Sequence, residues 1–232
     1  MLTEPPARLI VVAVPAHDEQ ALLPDCLAAL RRAAAQPGLP PVQVVVVADR
    51  CTDGTARIAH AGGADVLEVD LRSAGAARRS GLDEAVRTAP VPADQLWLAT
   101  TDADSRVPPE WFVDQLRWRA EGWDAVAGTV AVADWSGHDR AVAARFADRY
   151  AWTGLQHPHV HGANLSLSAT AYAAVGGLPP LALAEDHALI AALESRGLRV
   201  ARAGPRPVVT SARRDPRAAG GFGALLRTLA DG

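Results

Sequence analysis

Arg8-Leu9-Ile10-Val11-Val12-Ala13-Val14, closed by Pro15, is a run of strand length that is apolar at every position after the first. A strand covering a core on one face alternates apolar and polar residues, so a continuous apolar run fits a strand buried on both faces. Residues 42–47 repeat the pattern, and 64–69 and Leu96–Thr100 follow as a third and fourth strand. Stretches of helical period lie between them. Residues 22–35 set Leu22, Leu23, Cys26, Leu27 and Leu30 on one side and stop before Pro37-Gly38. Thr55–Ala61 ends at Gly62-Gly63, Ala74–Thr88 is helical throughout, and 109–121 carries proline in its first turn. Strand, helix, strand in repetition predicts an α/β protein on a doubly wound, mostly parallel sheet. Ligands on such sheets gather at the carboxyl ends of the strands, and polar residues there become the candidates for chemistry.

The second half is less regular. A strand is expected over Ala125–Val132, helices over 140–153, 169–175 and 186–196, and strand-like pieces over 198–203 and 207–210, with 157–167 irregular. The composition, 49% hydrophobic and 21% charged in 232 residues, suits a globular protein with a sizeable core and excludes disordered and fibrous classes. A net charge of -3 offers no general attraction to nucleic acid or anionic lipid. All 23 basic residues are arginine, which removes Schiff-base and P-loop lysines from consideration. Cys26 and Cys51 are too few for a disulfide framework or a four-cysteine zinc site. The longest apolar runs fall well short of the roughly 20 residues that a membrane span needs. Residues 1–8 show no signal-peptide pattern, so a cytoplasmic location without a transmembrane segment is expected.

Five places carry unusual residues. Thr101-Asp102-Ala103-Asp104-Ser105 follows the fourth strand, and in extended backbone residues i and i+2 point the same way. Two carboxylates converging on one point repel unless a cation lies between them, and Mg²⁺ or Mn²⁺ favours such ligands beside substrate phosphates. A turn with Asp104 or Ser105 capping the next helix competes with that reading. Asp49 ends the second strand, where a base or ribose would lie, and a nucleotide-binding and a purely structural role are equally open for it, whereas Asp53, or Thr52 beside it, reads as a cap for the helix at Thr55. Glu185-Asp186 opens a helix, as a dipole partner or as a general base. His157, His159 and His161 line one face of an extended segment, as polar, substrate-contacting groups or as metal ligands. Arg78-Arg79 and Arg213, Arg214 and Arg217 either clamp phosphate oxygens or face solvent. No Gly-x-Ser-x-Gly elbow is present.

In order and spacing, these pieces resemble the family 2 glycosyltransferases of GT-A fold over nearly the whole chain. Residues 11–19 are similar to the family's opening V-P-A-x-N-E, with Asp18 in place of Asn. Residues 47–55 resemble D-D-x-S-x-D-G-T, with Ala48 at the first Asp. Residues 75–81 loosely follow G-x-A-x-A-x-N-x-G, and Asp102-Ala103-Asp104 stands at the D-x-D metal motif. His161-Gly162-Ala163-Asn164 and Val175-Gly176-Gly177-Leu178 resemble G-x-N and V-G-G-F, and Glu185-Asp186 falls at the E-D base motif.

The resemblance implies one GT-A domain over 1–232, with a nucleotide-sugar half to about residue 105 and a smaller mixed acceptor half from about 106. A UDP- or GDP-sugar donor would meet Pro15, Ala16, Asp18, Glu19, Asp49, Gly75, Arg78, Asp102, Ala103 and Asp104. Asp102 and Asp104 would hold Mn²⁺ or Mg²⁺. His161, Gly162 and Asn164 would face the acceptor, and Asp186 with Glu185 would supply the base of an inverting transfer. A retaining variant, with His161 or His187 completing the metal shell, stays open. The family's lipid-acceptor and processive members carry extra transmembrane or amphipathic helices, and none is read after Leu229, so a small soluble acceptor is expected. A homodimer is an open possibility. A sugar nucleotidyltransferase is disfavoured because 15–20 lack the glycine-rich loop after the first strand. A non-catalytic nucleotide-sugar binder is disfavoured because Asp102, Asp104 and Asp186 are all retained.

Overall fold

The computed structural model describes residues 5–153, 156–179, 181, 183–213 and 222–231. In the first half the elements alternate as their sequence patterns dictate: β1 (Leu9–Ala16), α1 (Leu23–Ala34), β2 (Val42–Asp49), α2 (Thr55–Ala61), β3 (Asp65–Val69), α3 (Ala74–Thr88), β4 (Leu96–Thr100) and α4 (Trp111–Ala120). The second half adds β5 (Ala125–Val132), α5 (Arg140–Tyr150), β6 (Leu165–Ser168), α6 (Ala169–Ala174), α7 (Glu185–Ser195), β7 (Val200–Thr210) and α8 (Phe222–Asp231). The strands form a seven-stranded sheet in the order β3-β2-β1-β4-β6-β5-β7. Every pairing is parallel except those of β6, which runs antiparallel to β4 and to β5.

The apolar run of β1 is accounted for by this placement, because alternate side chains enter different cores. Val11 and Ala13 pack with Ala77, Leu82 and Ala85 of α3 and with Leu189, Ile190 and Leu193 of α7. Ile10, Val12 and Val14 pack with Leu23, Cys26, Leu27 and Leu30 of α1 and with Trp111 and Phe112 of α4. A third, smaller cluster joins Val142 and Phe146 of α5 to Leu226 and Leu229 of α8.

Three expectations are corrected. The segment read as irregular contains β6, whose four residues alternate Leu and Ser and are too few to show a period. The two strand-like pieces at 198–203 and 207–210 are one strand, β7, whose pairing with β5 breaks register between Gly128 and Val130. An amphipathic helix, α8, carries Leu229, where no such helix was expected. Its apolar side rests on α5 rather than standing unpartnered. Among the described residues, no helix is long and apolar enough to cross a membrane.

Candidate active site

The ends of β1, β2 and β4 and the start of α7 meet on one side of the sheet, and a buried arginine joins two of them. Arg78 on α3 has 4% of its side chain exposed. Its Nε donates to Thr100 Oγ1 at 2.9 Å, its Nη2 to Asp102 Oδ1 at 2.7 Å, and its Nη1 to Glu185 Oε1. Burial opposes its charge, but Asp102, Glu185 and Asp186 outweigh that cost and raise its pKa above the ordinary value. The hub is possible because two neighbours are glycines. A Cβ on Gly162 would lie 2.6 Å from the Arg78 guanidinium carbon, and one on Gly75 would lie 2.8 Å from Glu185 Cγ.

Asp102 and Asp104 follow β4 as the sequence suggests, but they take different partners. Asp102 keeps 37% of its side chain exposed. Even so, desolvation raises its pKa, and the Arg78 guanidinium opposes that rise without cancelling it, with the nearby Asp104 charge adding to it. Its Oδ2 has no hydrogen-bond partner among the described residues. Asp104 receives the Arg213 guanidinium on Oδ2, with Nε at 3.1 Å. The helix-capping alternative for Asp104 and Ser105 is not observed, because α4 begins at Trp111 and Glu110 occupies its N-cap.

The loops after β1 and β2 are laced together. Asp18, at φ 50°, accepts the Thr52 N–H at 2.6 Å and the Asp53 N–H at 3.3 Å. The Thr52 amide, first among its causes, holds the Asp18 carboxyl below its usual pKa. Glu19 N–H donates to Thr55 Oγ1 at 2.7 Å, and Asp53 accepts the Thr55 N–H at 2.9 Å from just outside the helix, whose N-cap is Gly54 rather than Asp53. Asp49 is 5% exposed, and its carboxylate takes the backbone N–H groups of Leu71, Arg72 and Ser73 at 2.7, 3.0 and 2.9 Å. It thus fixes the loop into α3, a role that residue spacing could not reveal. Pro15 and Ala16 are buried at the end of β1, and Gly75 and Ala103 are buried beside the hub.

On the second-half side, Asp186 Oδ2 accepts the Gly162 N–H at 2.9 Å and Oδ1 accepts the His187 N–H at 2.8 Å. Glu185 is turned inward to Arg78. Asn164 is 6% exposed, takes Trp111 Nε1–H at 2.8 Å and donates to the Thr129 carbonyl at 2.8 Å, so its amide braces β5 against α4. The three histidines do not converge as metal ligands. His157 and His159 stack at 5.7 Å, His159 and His161 at 6.3 Å, and Tyr150 lies flat on His159 at 3.9 Å. Burial lowers the His161 pKa to about 4 against the opposing pull of Asp186, leaving the ring neutral at pH 7. Among the described residues, the one trio of potential ligand atoms within mutual reach is Asp18, Cys51 and Asp53, all partly buried in the loops after β1 and β2. Arg79 is occupied by Asp83 and the Leu178 carbonyl. Arg214 and Arg217 lie outside the described residues.

The fold is shared with solved glycosyltransferase structures. A TarS fragment from S. aureus in complex with UDP-GlcNAc superposes with a TM-score of 0.68 at 15% identity, over 92% of this chain and 61% of that one. The mannosyltransferase PcManGT from Pyrobaculum calidifontis, in complex with GDP-Man and Mn²⁺, gives 0.67 at 20% identity, over 92% and 59%. Glucosyl-3-phosphoglycerate synthase from Mycobacterium tuberculosis, with Mn²⁺, UDP and glucosyl-3-phosphoglycerate, gives 0.57 at 19% identity, over 96% and 77%. The chain therefore spans about three fifths of the length of the first two. A search of curated protein sequences finds no match. The model of the family described as glycosyl transferase family 2 matches residues 11–174. With more than half of its length matched, and with the sheet of the fold in place, the chain belongs to glycosyl transferase family 2.

Proposed function

We propose that the chain transfers a sugar from a nucleoside diphosphate sugar to an acceptor hydroxyl, with inversion, a divalent metal at Asp102 and Asp104, and Asp186 as general base. The observation that carries this reading is the hub at Arg78. Through it, the paired carboxylates after β4 and the acidic start of α7 stand next to each other although they are remote in sequence. A donor held by the first set and an acceptor at the second would then meet.

The donor set suits Mn²⁺ or Mg²⁺, since it consists of hard carboxylate oxygens and the Asp102 side chain keeps 37% of its surface exposed. Bound there with the donor, the ion would neutralise charge that builds up on the departing nucleoside diphosphate. The chain's own residues do the rest. Asp186 is oriented by two backbone N–H groups, one on each oxygen, and each oxygen keeps a lone pair for the acceptor proton. As the acceptor oxygen bonds to the anomeric carbon, the bond to the phosphate oxygen breaks with its electron pair, and the proton passes to Asp186. Positioned proton removal of this kind is typically worth about 10²–10⁴-fold. Glu185, held by Arg78, acts as a positioning residue that fixes the start of α7. Asp18 and Asp49 order the nucleoside-side loops through their backbone contacts.

Calorimetric titration of UDP and GDP, with Mn²⁺ and then with EDTA, tests the donor site. Metal-dependent binding of one nucleotide is expected and identifies the base. Binding of neither, with or without metal, would refute the reading.

A further inference from the structure

We propose that Arg213 is a built-in stand-in for the metal, which it must release, and that the released guanidinium then grips the donor diphosphate. The inference deepens the donor-site reading and rests on it.

The Arg213 guanidinium spans two carboxylates from different loops. Nε and Nη2 both donate to Asp104 Oδ2, and Nη2 lies 2.7 Å from Glu19 Oε1. Its side chain is 21% exposed. The backbone that delivers it is anchored up to the preceding residue. Arg106 and Val209 exchange backbone hydrogen bonds at 2.7 and 3.0 Å, Ser105 Oγ donates to Thr210 Oγ1 at 3.0 Å, and the Ala212 carbonyl meets His138 Nε2 at 2.5 Å. The guanidinium is therefore delivered to Asp104 by a fixed strap rather than by chance contact.

Asp104 Oδ2 already accepts two Arg213 N–H groups, which take up both of its lone pairs. Mn²⁺ or Mg²⁺ would need Asp104 at about 2.0–2.2 Å, inside the space that Arg213 fills on Oδ2, and Asp104 Oδ1 already receives Ser105 Oγ at 3.3 Å. The bare ion must displace a charge-assisted pair and gains little in doing so. The ion arriving with a nucleoside diphosphate brings new anionic oxygens, and a guanidinium fork matches them in geometry. Arg213 then exchanges Asp104 for phosphate, so metal and diphosphate bind cooperatively while metal alone binds weakly.

Free Mn²⁺ measured by electron paramagnetic resonance, on the native chain, R213Q and R213K, tests the exchange. R213Q is expected to bind bare Mn²⁺ about tenfold more tightly, the size of effect expected when one charge-assisted contact to Asp104 is lost. In the presence of Mn²⁺, R213Q should bind the preferred nucleoside diphosphate about tenfold more weakly, with the monophosphate unchanged. R213K keeps the charge and should hold bare Mn²⁺ almost as weakly as the native chain. A merely structural arginine would not tighten metal binding when removed. Unchanged or weaker bare Mn²⁺ binding by R213Q, or equal tightening in R213K, overturns the inference. If the native chain binds Mn²⁺-nucleotide normally while R213Q leaves bare Mn²⁺ binding unchanged, the donor site stands and only the exchange falls. If the native chain binds no nucleotide, both fall.

Discussion

Replacing Arg78 with methionine removes the one cation between Thr100, Asp102 and Glu185, and its cost can be worked from their burial. Methionine fills much of the arginine stem's space, so cavity formation is a small part of the effect. The large part is electrostatic. Glu185 keeps 11% of its side chain exposed and loses its partner inside the protein, while Asp102, at 37%, recovers part of its hydration from solvent. Removing one member of a buried pair costs about 3–5 kcal/mol, and the partial exposure of Asp102 favours the lower end. For a domain of this length each kcal/mol shifts Tm by about 2–4 °C, so a fall of about 6–12 °C is expected. Urea titration followed by circular dichroism gives the free energy directly, because the denaturant slope should stay unchanged. The decisive comparison is the double variant R78M/E185M, in which no charge is left stranded at Glu185. It should recover at least half of the loss, since burying neither partner is often close to neutral. A single variant within about 1 kcal/mol of the native chain, or a double variant whose losses simply add, would refute the charge argument.

Other residues lead to tests of their own. D186N should bind donor nucleotide as tightly as the native chain while transfer falls about 10²–10⁴-fold, checked by calorimetry beside a sugar-transfer assay with a panel of acceptors. G128A places a Cβ 2.2 Å from Asn164 Nδ2, so the Trp111 and Thr129 hydrogen bonds must yield. A loss of about 2–4 kcal/mol in urea titration is expected from overpacking and two broken bonds. His161, with its pKa lowered from 6.5 to about 4, gives stability that is fully present above pH 6.5 and is lost as the pH falls to about 4, because the unfolded chain binds the proton first. H161F, which keeps an aromatic ring against Tyr150, should flatten that part of the pH–stability curve; an unaltered curve would remove His161 as its cause.

The first half was legible because burial on both faces leaves its mark at every residue of β1 and in the apolar run 44–48 of β2. Thr55–Ala61 was read to the residue because the Gly62-Gly63 pair marks its end, and the range read for Ala74–Thr88 is the observed helix, whose N-cap Ser73 accepts the Ala76 N–H. β6 was not legible, since Leu165-Ser166-Leu167-Ser168 is buried throughout, serines included, and four residues show no period. At the site, spacing brought out the acidic residues but not their partners. Asp49 could be placed at the end of β2, yet nothing local announces that three amides from 71–73 will close on it. Glycines 75 and 162 stood in motifs and Gly128 inside a strand, and each turns out to make room for one named side chain.

The choice of arginine for every basic residue bears on how such an acidic centre can fold. Glu19, Asp102, Asp104, Glu185 and Asp186 crowd one end of the sheet, and like charges so close repel one another unless counter-charge lies between them. Two guanidinium groups supply it from two directions, Arg78 from beneath and Arg213 from the strap. A lysine in Arg78's place would offer one nitrogen, whereas the observed pattern uses Nε, Nη1 and Nη2 on three acceptors in one plane. The two differ in burial, 4% against 21% exposed, and that difference separates their roles. The deeply held arginine is a permanent part of the fold and links the two halves of the site. The less buried one, on the surface of the proposed donor site, is the cation that the proposed exchange would release to the donor diphosphate.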